Sequence, residues 1–265
     1  MILLTASCSN TEWHPRPITD VSNLHSLRVG TNLAWEADYI LTKRNDIELY
    51  RYDTTADMMM ALNYDKIDAI AVDLLISNIL TTTAEGIGRV EPSFGETGYV
   101  LFFRPGMEDV EAAFNAFVTE YRKTDYYQDF LYREKTFDID TYEPKDIPLT
   151  GTGETLIVAA LAADGYPRCF PETDGTITGF DTEPLKMFAN ENNYQLDFRN
   201  VNYESAIIGL TNGTYDLVVG YISDAYKDEA EEIGLLVSEP FDITPLYFMQ
   251  KTQRDITYDY TLFEE

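Results

Sequence analysis

The chain reads as two successive series of short apolar runs and amphipathic helical patterns. In the first series, Leu27–Thr31 and Ile47–Tyr52 have the length and alternation of strands. Ile67–Val72 is a nearly continuous apolar run, the pattern of a strand buried on both faces. Helical segments separate these strands. They are Ala34–Lys43, a stretch through Met58, Met59 and Leu62 that Thr54 or Thr55 can cap, and one through Ile76 and Leu80. Tyr99–Arg104 reads as a further strand. Val110, Phe114, Phe117 and Tyr121 then share one face of a long helix, Glu108–Arg122, and a shorter helix covers Tyr126–Arg133.

Residues 138–153 hold Asp, Pro and Gly without a period and read as a linker. The alternation then restarts. Thr155–Ala160, Gln195–Phe198, Tyr215–Val219 and Pro245–Gln250 read as strands. Between them lie a helix through Met187 and Phe188 with Asp181 as its cap and Pro184 in its first turn, a helix Tyr203–Leu210 ended by Asn212-Gly213, and a helix Asp228–Ile233. Segments 61–70 and 209–218 match each other as a helix end, a tight turn and an Asp that opens a buried strand. Strands and helices alternating at this spacing predict an α/β protein with mostly parallel, covered sheets. The expected organisation is a tether at 1–25, an α/β lobe at 26–105, helices at 106–137, the linker at 138–153, a second α/β lobe at 154–250 and a tail at 251–265.

Composition narrows the function classes. Apolar content of 45% and charged content of 25% are those of a globular protein, and no run approaches the roughly 18 apolar residues of a membrane span. The formal charge of −27 argues against nucleic acid and against electrostatic docking on anionic lipid. Two cysteines, Cys8 and Cys169, and two histidines, His14 and His25, leave little for a metal centre or a His-based catalytic site, and no cofactor or metal is expected. The stretch Met1–Cys8 is apolar and ends in small residues, like the end of a lipoprotein signal. It makes Cys8 a candidate for lipid attachment.

Residues Tyr166–Asp181 carry a family resemblance. Tyr166-Pro167, the turn Asp174-Gly175 and Gly179-Phe180-Asp181 resemble the opening of the first lobe in the solute-binding proteins of polar amino acid ABC transporters. Gly209–Ser223 and Ser238-Glu239-Pro240-Phe241 resemble later parts of that lobe. Val21–Thr31, Asp68–Asp73 and residues 107–135 resemble the second lobe and the family's terminal helices. The family's first lobe comes last here, as in a circular permutant or a piece spanning two tandem copies. The resemblance implies a type II periplasmic-binding-protein fold, two-lobed, with a ligand cleft between lobes.

It also implies site residues. Asp73 matches the acid that holds a ligand ammonium, and Tyr166 the aromatic beside the ligand. Trp35, Tyr221, Ser223 and Asp164 fall at the expected cleft face. Lys227 stands where the family carries its carboxylate-binding arginine, and Asp224 where it carries a hydroxyl residue. Lysine cannot make a bidentate fork, and an aspartate repels a carboxylate, so the carboxylate clamp is weakened, with Arg168 or Lys227 left to serve it.

The expected function is that of a monomeric extracytoplasmic binding protein, at the cell surface or in the periplasm, that closes on a small polar, amino acid-like solute and passes it to an ABC transporter permease. Membrane contact is expected only through a lipid on Cys8. A sensory or scaffold module with a degenerate cleft is the alternative. A dehydratase-like enzyme is the third reading, and non-enzymatic binding is preferred to it.

Overall fold

The computed structural model describes residues 16–163 and 165–259. Two sheets organise them. The first has the order Ile47–Tyr52, Leu27–Asn32, Ala69–Asp73, Asp242–Lys251, Ile87–Arg89, with Gly95–Tyr99 also paired to Asp242–Lys251. The second has the order Gln195–Asn200, Thr155–Ala160, Leu217–Val219, Phe102–Phe103, Leu236–Val237. In each sheet one strand runs against all the others. That strand is the one contributed from across the molecule. Asp242–Lys251 follows the second sheet in sequence and completes the first, while Phe102–Phe103 follows the first and completes the second.

The region read as one strand, Tyr99–Arg104, is therefore two short strands in different sheets. The chain crosses at Val100–Leu101 and returns at 238–241. These two crossings lie side by side. Leu101 N donates to Ser238 Oγ at 2.9 Å, Ser238 N to Leu101 O at 3.0 Å, and Phe241 N to Tyr99 O at 2.9 Å. Paired extended segments of this kind can absorb small backbone rotations.

Local chemistry explains why the two sheets are built alike. Asp68 stands just before Ala69–Asp73 and accepts the backbone N–H of Arg28 at 2.9 Å, while Arg28 Nη2 reaches its other oxygen at 2.7 Å. Asp216, just before Leu217–Val219, accepts the backbone N–H of Ile157 at 2.8 Å, and Arg104 Nε reaches it at 2.9 Å. Each aspartate ties the start of one parallel strand to its neighbour and is neutralised by an arginine. This is the physical content of the match between segments 61–70 and 209–218. Both turns before these strands pass through the left-handed region, at Asp65 (φ 55°) and Gly213 (φ 79°).

Helix Glu108–Tyr121 packs on the second sheet's helix Thr182–Glu191, with the Phe114 and Phe188 rings edge to face at 5.2 Å. Helix Asp125–Lys135 then reaches back to the first sheet's side, where Asn78 Nδ2 donates to Glu134 O at 2.9 Å. Thr54 caps its helix through Asp57 N, as its position predicts. Asp181 does not cap with its side chain, because both carboxylate oxygens are engaged elsewhere.

The segments expected as tether and tail are partly built in. Leu24 is buried, and Ile18 N donates to Gln250 Oε1 at 2.7 Å. Thr257–Tyr258 pairs with Ala84–Glu85, and Ile256 and Tyr258 are buried. Residues 138–153 form no regular element. Cys8 and His14 lie outside the described residues, as does Asp164. Among the described residues no helix is long and apolar enough to cross a membrane.

Candidate functional site

A cavity of about 400 Å³ opens between the two sheets. Leu33–Glu36 line it from just beyond Leu27–Asn32. Leu161, Ala163 and Gly165 line it from beyond Thr155–Ala160, and Tyr221–Ser223 from beyond Leu217–Val219. Its walls thus come from the carboxyl ends of parallel strands, where strand and helix termini leave a crevice in α/β sheets. Phe102, Val201–Tyr203 and Tyr226 also line it.

Aromatic contacts hold the two sides of the cavity together. The Trp35 and Tyr221 rings stack at 5.9 Å and 29°. Tyr226 packs on Tyr39 at 5.6 Å and donates its hydroxyl to Trp35 O at 3.1 Å. Tyr221 adopts a positive φ of 49°, an uncommon conformation for a bulky side chain. Its backbone N–H donates to Asp181 Oδ2 at 2.8 Å, which fixes that conformation. Ser223 Oγ is hydrogen-bonded to Thr97 Oγ1 at 2.7 Å and accepts from Ala225 N, so the hydroxyl is held on the hinge side.

Behind this wall lies a buried ionic cluster. Arg168 is fully buried and sits among four carboxylates, all of them buried too. Nη1 lies 3.0 Å from Asp181 and 3.1 Å from Asp242. Nη2 lies 3.0 Å from Glu134, and Nε lies 3.8 Å from Asp73. The Tyr99 ring lies against the guanidinium at 3.6 Å. Burial works against the Arg168 charge, but Tyr99, Glu134, Asp181 and Asp242 outweigh it and hold the group protonated. Asp73 ends a strand of the first sheet, Asp242 opens the strand that completes it, and Asp181 precedes the helix Thr182–Glu191 that packs on the second sheet's side, so the cluster ties the two sides together.

Of the residues singled out from sequence, Trp35, Tyr221 and Ser223 line the cavity. The others do not. Asp73 gives Oδ1 to Ile76 N at 2.7 Å, as helix cap, and Oδ2 to the Tyr99 hydroxyl at 2.9 Å. It faces Arg168, not Tyr166 and Ser223. Tyr166 packs in an aromatic group with Phe137, Tyr142 and Phe170. Lys227 is half exposed and lies 3.7 Å from Glu231 on its own helix. Asp224 accepts Gly98 N at 3.1 Å. Arg168 is no free clamp for a carboxylate, because its charge is already more than matched.

Sequence reasoning passed over Glu36, Glu134 and Asp242. Glu36 lines the cavity with 3% of its surface exposed, and its Oε1 has no hydrogen-bond partner. In the sequence it is an acid in the first turn of a helix, a position that ordinarily faces water. The available signal was its place directly after the apolar run Leu33–Trp35.

The buried acids set the direction of the pH response. Burial, then the charge of Asp73, raises Glu36 to about 7. Burial raises Asp181 to about 6 against the pull of Arg168. Burial likewise raises Glu134, helped by Asp242, and raises Asp242. Folded values above the unfolded ones mean that the folded protein binds more protons than the unfolded chain. The stability these groups contribute is complete below their unfolded values and is lost as pH rises through the folded ones. Thermal melts are therefore expected to peak near pH 5 and fall towards pH 8, with Glu36 alone accounting for about 3 kcal/mol. At the acid end, Asp46 and Asp68, lowered by Arg44 and Arg28, reverse the trend. A melting temperature that is flat or rising from about pH 5 to 8 would contradict this account.

Residues 157–254 match the model of bacterial extracellular solute-binding proteins, family 3. The match lies within the second series of strands and helices and the strand that returns to the first sheet. A search of curated protein sequences finds no match. Among solved structures, a ligand-binding component of an ABC-type import system from Staphylococcus aureus with zinc bound is 10% identical, with a TM-score of 0.45, covering 86% of this chain and 66% of its own. A probable amino-acid ABC transporter extracellular-binding protein from Bacillus subtilis is 9% identical, with a TM-score of 0.44, covering 86% and 84%. An ancestral cationic amino acid solute-binding protein is 13% identical, with a TM-score of 0.45, covering 86% and 83%.

Proposed function

We propose that this chain is an extracytoplasmic solute-binding protein that holds a small solute between its two lobes and presents it to an ABC transporter permease. The observation that carries this reading is the cavity itself, walled by the carboxyl ends of strands from both sheets and spanned by a paired hinge. The family match over 157–254 supports it. On this reading the lobes stand in swapped chain order, since the segment matching the family model follows the other lobe. Binding without catalysis is preferred, and the partner is a membrane permease.

The Arg168 cluster favours the second reading, a sensory or scaffold module with a degenerate cleft. A guanidinium that joins both lobes already supplies the closing interaction that a bound solute would otherwise provide.

A thermal-shift screen across amino acids, polyamines, short peptides, nucleosides and simple amines separates the two. A transported solute at about a hundred times its Kd is expected to raise the melting temperature by about 5–10 °C. It should also change the emission of Trp35, which stacks at the cavity wall. If no member of the panel moves either signal, the scaffold reading prevails.

A further inference from the structure

We infer that the cavity is built for a small organic monocation, an amine or quaternary ammonium on an apolar body with no carboxylate, whose charge pairs with Glu36. This rests on the reading of the cavity as a solute site and names the class of solute.

The polar complement of the walls is one-sided. Glu36 carries the one acidic side chain among the described lining residues, and none of them is Lys, Arg or His. A ligand carboxylate would find no cation there. Lys227 points its charge to Glu231 and lies outside the cavity, and Arg168 is enclosed by acids. A ligand cation, by contrast, would meet in Glu36 a buried acid at the cavity wall whose Oε1 is shielded and has no hydrogen-bond partner, and which a turn of the side chain would bring to the ligand. Such an atom carries an uncompensated desolvation cost until a donor reaches it.

The remaining walls suit the same ligand. Trp35, Tyr203, Tyr221 and Tyr226 surround the space with aromatic rings, the side chains that attract ammonium groups electrostatically. Leu33, Leu161 and Val201 offer contact to an apolar body. Aromatic and aliphatic walls with one placed charge are the pattern of a specific small-molecule pocket.

Glu36 is also tuned for this exchange. Its neighbours are Asp73 and Arg168 in the buried cluster, Tyr99 at the hinge, Tyr221 and Tyr226 across the cavity, and Asp38 on its own helix. Asp38 is already paired with Arg51. Burial and the Asp73 charge raise Glu36 to about 7, so the empty site is partly protonated at neutral pH. A bound cation favours the carboxylate and expels that proton. Affinity for a cation should therefore rise with pH up to about 7 and then level off.

Calorimetry on the full chain with phenethylamine, 2-phenylethanol and 3-phenylpropionate tests the inference. These three probes share a body and differ in charge. Phenethylamine alone is expected to bind, more tightly at pH 8 than at pH 6, with proton release detected by changing the buffer. Glu36→Gln is expected to weaken it by about thirtyfold or more, the usual result of removing one partner of a buried charge pair. That variant should fold and melt higher than the parent at pH 8, because it removes a buried charge, so weakened binding is not misfolding. Equal affinity for Glu36→Gln, equal binding of the alcohol, or no binding of phenethylamine overturns the inference. If the carboxylate probe or another non-cationic solute binds instead, the class is wrong and the solute-binding reading stands. If no solute of the wider screen binds, both fall.

Discussion

Replacing Arg168 with leucine is expected to destabilise the folded protein by about 3–5 kcal/mol at pH 7.5, the cost of removing one side of a buried ionic cluster. The argument is one of unmatched charge. Asp73, Asp181, Asp242 and Glu134 are all buried, and Arg168 is the cation among them. Leucine fills much of the volume but leaves the acids facing one another in a site that water does not reach. They answer by taking up protons, which is why the deficit should shrink markedly when denaturation is repeated near pH 5. Burial already pushes Glu134 and Asp242 upward, the direction in which this proton uptake goes. Arg168→Lys keeps a charge but loses the fork that meets Asp181 and Asp242 through Nη1 and Glu134 through Nη2, and should fall between the two. Urea unfolding at both pH values measures the effect. A loss below about 1 kcal/mol, or one that does not depend on pH, would mean that the cluster is not held by the guanidinium.

Phe114→Ala should cost a comparable amount, about 3–5 kcal/mol, for a different reason. Phe114 is fully buried on helix Glu108–Tyr121. Its ring meets Phe188 at 5.2 Å, Phe117 at 5.9 Å, Phe103 at 6.1 Å and Phe241 at 6.4 Å. Phe188 belongs to the helix that follows the second sheet's opening strand. Phe103 lies on the strand sent across, and Phe241 lies at the returning crossing. The truncation therefore opens a void where three separate stretches of chain converge, and rigid neighbours on several sides cannot close it. Tyr132→Ala, at an exposed site on the next helix, serves as the control and should change stability by less than about 0.5 kcal/mol. Equal effects at the two positions would argue that residues 108–121 do not pack as part of the second lobe.

Much of the architecture is legible in the sequence because its causes are local. Ala69–Asp73 lies where the nearly continuous apolar run Ile67–Val72 predicts a strand covered on both faces, and every residue in it is buried. Thr54 caps the helix it precedes, and Asn202 caps Tyr203–Asn212, which ends at Gly213. The repeated turn and aspartate at 61–70 and 209–218 mark two units of one design, and both aspartates do the same work between parallel strands. The amphipathic face of 108–122 carries the residues that pack. None of this needs knowledge of distant chain.

The crossing at Tyr99–Phe103 shows where local pattern stops. Five apolar residues in a row read as one strand, yet the chain leaves one sheet after Tyr99 and enters the other at Phe102. Both environments are buried, so hydrophobicity carries no sign of the change. The site divides in the same way. Asp73 is readable as a helix cap, because one of its oxygens meets a backbone N–H three residues on. The partner of its other oxygen depends on where Tyr99 and Arg168 are brought by the two sheets. Arg168 meets Asp242 across 74 residues of sequence, and nothing near either residue indicates the pairing. Glu36 is the sharpest case. By sequence it is an acid in a helix's first turn, suited to water. The second lobe, closing over that turn with Tyr221 and Tyr226, makes it a buried carboxyl at a cavity wall. The sequence by itself determined most of the elements, the cap at Thr54 and the doubled plan, because each follows from interactions within a few residues. Which charges are buried, which meet, and which face the cavity was decided only by the tertiary structure, because desolvation and ion pairing depend on what the rest of the chain places around a group.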